Sequence, residues 1–453
     1  MRAKFDYDLI VIGGGAAGCV AAQIVAKAGR RVAIVERGEL GGQSAKFELG
    51  LMALQNAAHG LDAARAGAAY GLRTATLGYN FPSVKAFKDA AVARAGLNPG
   101  EEFFRRQNIS LYRGNARFIA PNEITINRRH LSAAQFLLAT GSRPRTPGIA
   151  GLDKIDVLTP EQILNLTRPP KSLFIVGAGS VGTSLAELFA IFGSKVYLSD
   201  LRQRILPRED DEASELFSDI LHRRRGVEIL TGRRVVRVEP DGLLTKVVYL
   251  ESGNEKSVKV EKVLIAAGRQ PNLDLGLNNA NLTADDDFLD SADNLQTTAR
   301  QIFVAGSASG KSGGVATSIQ QARVAAAGIL GRKSTMNYGA EIRLTGLSPQ
   351  LASVGVGQSE LARRDLRHKT GICRLSEIAG SRIAAKADGF VKIITSRQNV
   401  VIGGSIAAPG AAALAGELAL AIRYEMDAAQ AAQIAPPFGT TGEALRAALT
   451  RIK

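Results

Sequence analysis

The chain has 453 residues, 45% of them hydrophobic, and a formal net charge of +15. At roughly 150 residues per domain this length predicts about three domains, each with a substantial core. Two cysteines exclude a disulfide scaffold and a four-thiolate zinc site, and the four histidines (His59, His130, His222, His368) show no HExxH or CxxC…HxxxH spacing, so no metal centre is expected.

Taken from the start, Asp6 and Asp8 precede a short apolar run that does not read as a signal peptide. Residues 9–12 (Leu-Ile-Val-Ile) are predicted to form a buried strand. The strand enters Gly13-Gly14-Gly15-Ala16-Ala17-Gly18. A helix is predicted from Cys19 to Ala28, ended by Gly29, and Val32–Val35 is the next strand, closed by Glu36. This is strand, GxGxxG, helix, strand, acid. Two glycines let the backbone turn and approach a pyrophosphate, the third lets helix pack on strand, and the helix N-terminus faces the phosphates. Glu36, 18 residues after Gly18, is placed to accept a hydrogen bond from a ribose hydroxyl.

The pattern returns at a predicted strand over residues 173–176, followed by Gly177-Ala178-Gly179-Ser180-Val181-Gly182. A helix runs to about Phe192, Gly193 stops it, and the strand over residues 196–198 ends near Asp200, again 18 residues after the third glycine. One such motif is weak, but two in full context with equal acid spacing predict two dinucleotides bound at once.

Arginines then cluster at Arg202, Arg204 and Arg208, at Arg223 to Arg225, and at Arg233, Arg234 and Arg237. With no tryptophan and only eight tyrosines there is little aromatic surface for bases, so these read as a solvated basic face and no nucleic-acid partner is expected. The most apolar later stretch, residues 406–422, is broken by Pro409, Gly410 and Glu417, short of the about 20 apolar residues of a membrane span. A cytoplasmic protein is expected. From about residue 340 the order is strands first (residues 389–394 and 400–403), then an Ala/Leu-rich helix at about residues 411–423.

The two fingerprints, together with Ala139-Thr140-Gly141-Ser142-Arg143-Pro144, residues 263–272 (VLIAAGRQPN), residues 302–306 (IFVAG) and the stretch from Ser348-Pro349 to Gly355, resemble the FAD-dependent pyridine nucleotide–disulfide oxidoreductases, dihydrolipoamide dehydrogenase and mercuric reductase among them. The resemblance covers nearly the whole chain. It implies an α/β protein with two Rossmann-like FAD- and NAD(P)-binding domains and a C-terminal α+β interface domain. The expected bounds are residues 1–151 with 268–335 for FAD, 152–267 for the nicotinamide nucleotide, and 336–453 for a homodimer interface. It assigns cofactor contact to Gly13, Gly15, Ala16, Ala17, Gly18, Glu36, Arg37, Gly42, Gln43, Ser44, Ala116, Ala139, Thr140, Gly141, Gly268, Arg269, Gly306 and Ser307 for FAD. For the nicotinamide nucleotide it assigns Gly177, Gly179, Val181, Gly182 and Asp200. Asp200 favours NADH, because an acid there repels a 2′-phosphate; Arg202 and Arg204 lie close enough in sequence to keep NADPH as a second option.

The resemblance breaks at the chemistry. Where the family carries a redox disulfide, this chain reads Gly41-Gly42-Gln43-Ser44-Ala45-Lys46-Phe47-Glu48-Leu49, with Ser44 and Leu49 at the cysteine positions. The family's lysine near the flavin falls at Ala53 and its glutamate partner at Ser184, so both halves of an ion pair are lost together. The family's His-Pro-Thr-x-x-Glu aligns with Phe438-Gly439-Thr440-Thr441-Gly442-Glu443, which puts Phe438 at the base and leaves Glu443 without a partner; Thr440 and Glu443 read instead as a capping box. The family's Gly-Asp near the ribityl chain is Gly306-Ser307. Cys19 and Cys373 read as structural, and no catalytic residue is assigned. Two functions follow: an FAD-dependent NAD(P)H oxidoreductase that hands electrons to a small-molecule or protein acceptor other than a disulfide, or a catalytically degenerate nucleotide-binding protein acting as sensor or assembly component.

Overall fold

The computed structural model describes all residues except 1–3, 74–76, 97–99, 285–287, 312 and 385–386. The chain divides into two compact units, residues 1–53, 86–145 and 268–337, and residues 54–85, 146–267 and 338–453.

In the first unit the apolar runs that alternate with helices become a parallel sheet. Strands Ile109–Arg113, Val32–Glu36, Tyr7–Ile12, the second half of Arg129–Leu138 and Ile302–Val304 lie side by side in that order. Leu9 to Val11, Ala33 to Ile34 and Phe136 to Leu138 are fully buried, as expected where a sheet is covered on both faces. Helix Ala16–Lys27 buries Ala17, Ala21, Ala22 and Val25, and the same core takes in Ala322, Ala325 and Ala326 of helix Val315–Ile329. The shared alanines explain the close pairing of these two helices, because small side chains let backbones approach. Strands Ser142–Pro144 and Arg269–Pro271 pair antiparallel, Arg143 opposite Gln270.

The second unit repeats the design. Strands Glu228–Thr231, Lys195–Asp200, Ser172–Val176, Lys262–Ile265 and Val157–Leu158 form a parallel sheet, beside a three-stranded antiparallel sheet over residues 234–260. C-terminal to these, strands Ile342–Thr345, Gln350–Gly355, Val401–Ala408, Phe390–Ser396 and His368–Arg374 make an antiparallel sheet that shares a core with helices Ala411–Arg423 and Gly442–Thr450. Two Rossmann-like α/β layers and an α+β portion are therefore present, as predicted. Among the described residues no helix is long and apolar enough to cross a membrane; residues 406–422 split between a strand and a helix.

Polar ties run through this unit. Lys392, 2% exposed in its strand, places its ammonium 2.7 and 2.8 Å from the Glu212 carboxylate and 3.6 Å from Asp210. Asp210 in turn accepts from the Gln358 amide at 2.9 Å and the Ser405 hydroxyl at 3.2 Å. A charge this deep persists only because it is paired and bonded on every side.

Candidate functional site

The first glycine motif shows why it needs glycine where it has it. Gly13 turns at φ 107°, and a Cβ there would lie 2.2 Å from the Ala139 carbonyl; at Gly18 it would lie 1.9 Å from the Gly13 carbonyl. Gly15 differs: a Cβ there would find its nearest neighbour, the Gly42 Cα, only at 3.9 Å. Gly15 is also the N-cap of helix Ala16–Lys27 and offers no side-chain cap. The N–H groups of the first turn, Ala16 and Ala17 among them, have no side-chain cap, the arrangement that receives a phosphate. Glu36 fixes the loop. Its carboxylate accepts from the Gly14 amide and from the Gly38 amide, each at 2.6 Å. Arg37 beside it is exposed.

Gly41 bridges Gly15, and Gly42 at φ 77° comes so near that a Cβ would stand 2.8 Å from the Gly15 Cα. This sets Gly42, Gln43 and Ser44, at the start of helix Gln43–Arg65, beside the loop. From the other side the Ala139 amide bonds the Ile12 carbonyl at 2.8 Å, Thr140 donates to the Asn272 carbonyl at 2.7 Å, and Gly141 sits at φ 68°. Arg269, next to Gly268, holds the Ser142 hydroxyl and carbonyl at 2.8 Å each. Gly306, beside Ser307, approaches both helices, since a Cβ there would lie 3.4 Å from Ala17 and 3.7 Å from Ser318. Gly42 and Gly306 thus lie against the N-terminus of helix Ala16–Lys27, and Ala139 and Thr140 against Gly13, while Arg269 is tied to Ser142. Ala116 stands apart: its side chain is buried in the core with Val35 and Ile126.

The second motif has the same geometry. A Cβ would lie 2.5 Å from the Ala266 carbonyl at Gly177 and 1.8 Å from the Gly177 carbonyl at Gly182, yet would meet nothing within 4 Å at Gly179. Gly179 caps helix Ser180–Ile191 without a side chain, and Val181 lies in the first turn. Asp200 takes the role of Glu36, accepting from the Ala178 amide at 2.8 Å and the Arg202 amide at 2.9 Å.

Three sequence readings need correction. Arg204 does not reach for a phosphate beside Asp200; its guanidinium bonds Asp211, the Glu209 carbonyl and Ser359. The arginine clusters are only in part the solvated basic face expected: Arg223, Arg224, Arg225, Arg233 and Arg237 pair with Asp219, Asp388, Asp62, Glu251 and Glu239, and Arg225 is largely buried. Thr440 and Glu443 form no capping box. The helix starts at Gly442 after Thr441; the Thr440 hydroxyl goes to the Pro437 carbonyl, and Glu443 accepts from the Gly439 amide at 2.9 Å.

The positions that depart from the resemblance are plain. Ser44 is exposed and Leu49 half-buried on helix Gln43–Arg65, and Phe438 is 89% exposed. Ala53 and Ser184 are both buried and small. Both cysteines are free. Burial pushes the Cys19 thiol up to about 11 and raises that of Cys373 as well, so neither is a thiolate near neutral pH.

Sequence reasoning missed two carboxyls. Glu187, one turn beyond Ser184 in helix Ser180–Ile191, is 1% exposed. It lies 3.5 Å from His59 Nε2 and 3.9 Å from Arg225 Nε, and accepts from the Ser348 amide at 3.1 and 3.3 Å. Arg225 also forks onto Asp62 at 2.6 and 2.7 Å. A charged residue inside the run Leu-Ala-Glu-Leu-Phe was the available signal. The second is Glu48, which accepts from the Val315 amide at 3.1 Å. It is the residue directly before Leu49, and nothing local marks it.

A model of the pyridine nucleotide-disulphide oxidoreductases matches residues 7–328, and a model of that family's dimerisation domain matches residues 343–449. The chain belongs to this family. Among curated relatives, the mercuric reductase of Streptomyces lividans is 30% identical over 99% of this chain and 96% of its own length, and a dihydrolipoyl dehydrogenase of Bacillus subtilis is 29% identical over 97% and 96%. Among solved structures, LpdA from Mycobacterium tuberculosis matches with a TM-score of 0.86 at 24% identity, covering 98% of this chain and 99% of that one. The HOCl-induced flavoprotein disulfide reductase RclA from Escherichia coli matches with a TM-score of 0.84 at 22% identity over 99% and 100%. Pyridine nucleotide-disulphide oxidoreductases are flavin-dependent enzymes that use FAD with NAD(P)H. The two uncapped helix N-termini, each with an open glycine and a strand-end acid, fit two dinucleotides.

Proposed function

We propose that this chain is an FAD-dependent NADH oxidoreductase that passes electrons directly to an acceptor other than a disulfide. The observation that carries the reading is the state of its sulfur: its two cysteines are both free and buried, and Ser44 and Leu49 stand where the family's pair aligns. A thiol held well above neutral in its pKa cannot relay electrons as a thiolate.

In this reading Gly13, Gly15, Ala16, Ala17 and Gly18 hold the FAD pyrophosphate through backbone N–H groups, with Glu36 at the ribose. Gly42, Gln43, Ser44, Thr140, Gly306 and Ser307 line the rest, and Ser307 offers a hydroxyl where the family has an acid. FAD, when bound, accepts hydride from the nicotinamide and holds the electron pair for the acceptor. Gly177, Gly179, Val181 and Gly182 cradle the second nucleotide. Residues 343–449 build a homodimer.

Asp200 supports NADH over NADPH. With Arg204 tied to Asp211, the repulsion between this carboxylate and a 2′-phosphate is left to the exposed Arg202 to offset. Asp200→Ser keeps an acceptor near the Ala178 amide and removes the charge. The ratio of kcat/KM for NADH to that for NADPH is expected to fall by about tenfold, roughly 1.4 kcal/mol; an unchanged ratio would place discrimination elsewhere.

The function is tested by steady-state assays of the FAD-loaded protein. NADH oxidation coupled to a dye or quinone and absent with lipoamide as acceptor is the expected outcome. Nucleotide binding without turnover on any acceptor would instead favour a sensor, the reading that the changes at Ser44, Leu49, Ala53, Ser184 and Phe438 would then support.

A further inference from the structure

Glu48 lies four residues after Ser44 on helix Gln43–Arg65, so the two side chains share a helix face. Met52, four residues on, continues that face and is 52% exposed. The carboxyl reaches the first residue of helix Val315–Ile329 through the Val315 amide at 3.1 Å. Gly314 makes the approach possible: it turns at φ 129°, and a Cβ there would sit 3.3 Å from the same carboxyl oxygen. That helix meets the first turn of Ala16–Lys27 at Gly306, so Glu48 stands at the edge of the first cradle, one turn from the serine that replaces a family thiol.

We propose that Glu48 is the proton donor for a quinone-class acceptor reduced at this face. The proposal rests on the reading that FAD fills the first cradle and discharges to a non-disulfide acceptor. The acceptor takes an electron pair and one proton as hydride from the reduced cofactor, and its second proton from the Glu48 carboxyl. The products are the hydroquinone, oxidised FAD and the Glu48 carboxylate, which water reprotonates. The stripe of Ser44, Glu48 and Met52, with Leu49 alongside, suits a neutral planar molecule with carbonyl oxygens: a hydroxyl and an acid for the oxygens, apolar side chains for the ring.

Burial raises the Glu48 pKa above the ordinary glutamate value, opposed by the Val315 amide. The lysines next in sequence on these two elements are engaged elsewhere: Lys46 on its own helix pairs with Glu39, and Lys311, ahead of the second helix, bonds the Ser291 carbonyl at 3.0 Å. A raised pKa keeps the acid form present to higher pH. Proton donation is therefore available below that value and lost above it.

Glu48→Gln separates this role from capping, because the amide oxygen still accepts from Val315. The measurement is stopped-flow on the FAD-loaded protein, with NADH for reduction and p-benzoquinone for reoxidation, beside the infrared difference spectrum between oxidised and reduced states. Expected for Glu48→Gln are an unchanged melting temperature, unchanged bleaching by NADH and reoxidation slowed by about a hundredfold. The decline of reoxidation at high pH and the carboxyl C=O band present in the parent are both expected to disappear. Parental reoxidation and a retained band would overturn the proposal. So would a lower melting temperature with both half-reactions slowed alike, which is the signature of a structural cap. A parent protein whose bound flavin NADH fails to bleach would instead overturn the underlying reading, and this role with it.

Discussion

Replacing Glu187 by alanine is expected to lower stability by about 3 kcal/mol, at the lower edge of the range for stranding a buried charge. Arg225 keeps its fork onto Asp62, which is why the upper edge is not reached. Its Nε, however, is buried with no hydrogen-bond partner, and the Glu187 carboxylate at 3.9 Å is what compensates it. The Ser348 amide loses its acceptor in the same step, and its desolvation makes up about 1 kcal/mol of that total. Glu187→Gln discriminates between the two terms, because it still accepts from Ser348 but carries no charge. Denaturant melts of the three proteins should rank parent, glutamine, alanine. Equal losses for glutamine and alanine would mean that the charge at Glu187 is what matters and the Ser348 bond contributes little.

The second large effect is expected at the nicotinamide motif. In Gly182→Ala the new Cβ would stand 1.8 Å from the Gly177 carbonyl. The obstacle is backbone, so helix Ser180–Ile191 must shift rather than a side chain rotate. Overpacking of this kind costs about 1–3 kcal/mol, and the shifted N-terminus no longer meets the pyrophosphate. The KM for NADH should rise by roughly tenfold or more, over 1.4 kcal/mol in binding, with flavin content unchanged. Gly179→Ala is the control. Its Cβ meets nothing within 4 Å, so melting should match the parent while KM still rises, because the methyl intrudes where the nucleotide lies. Retained NADH affinity in both variants would show that this loop does not hold the nucleotide.

What the sequence disclosed is what local chemistry compels. Gly13, Gly18, Gly177 and Gly182 are glycines because a Cβ has no room, and Glu36 and Asp200 recur at one spacing because each ends the strand that follows its glycine loop and helix and ties back to that loop. The fold followed from those repeats. The buried polar groups were hidden for the opposite reason: their meaning lies in partners far along the chain. Glu48 meets Val315 across 267 residues and Lys392 meets Glu212 across 180, and no pattern around either residue announces its partner. Arg204 and the arginine clusters misled in the same way, since a cation's neighbours in sequence do not name the carboxylate it will face. The Thr440–Glu443 spacing fits a capping box, but the Glu443 carboxylate takes the Gly439 amide instead of that of Thr440, and the helix begins at Gly442 with Thr441 as its N-cap.

In the function proposed, FAD stores the electrons alone, with no sulfur pair beside it. Anaerobic titration of the FAD-loaded protein with NADH, followed by visible absorbance, tests it most directly. The expected result is complete bleaching at a single equivalent of NADH, with no long-wavelength band from a thiolate lying on the ring. Uptake of a second equivalent, or the appearance of that band, would show a sulfur pair sharing the electrons and would contradict the account.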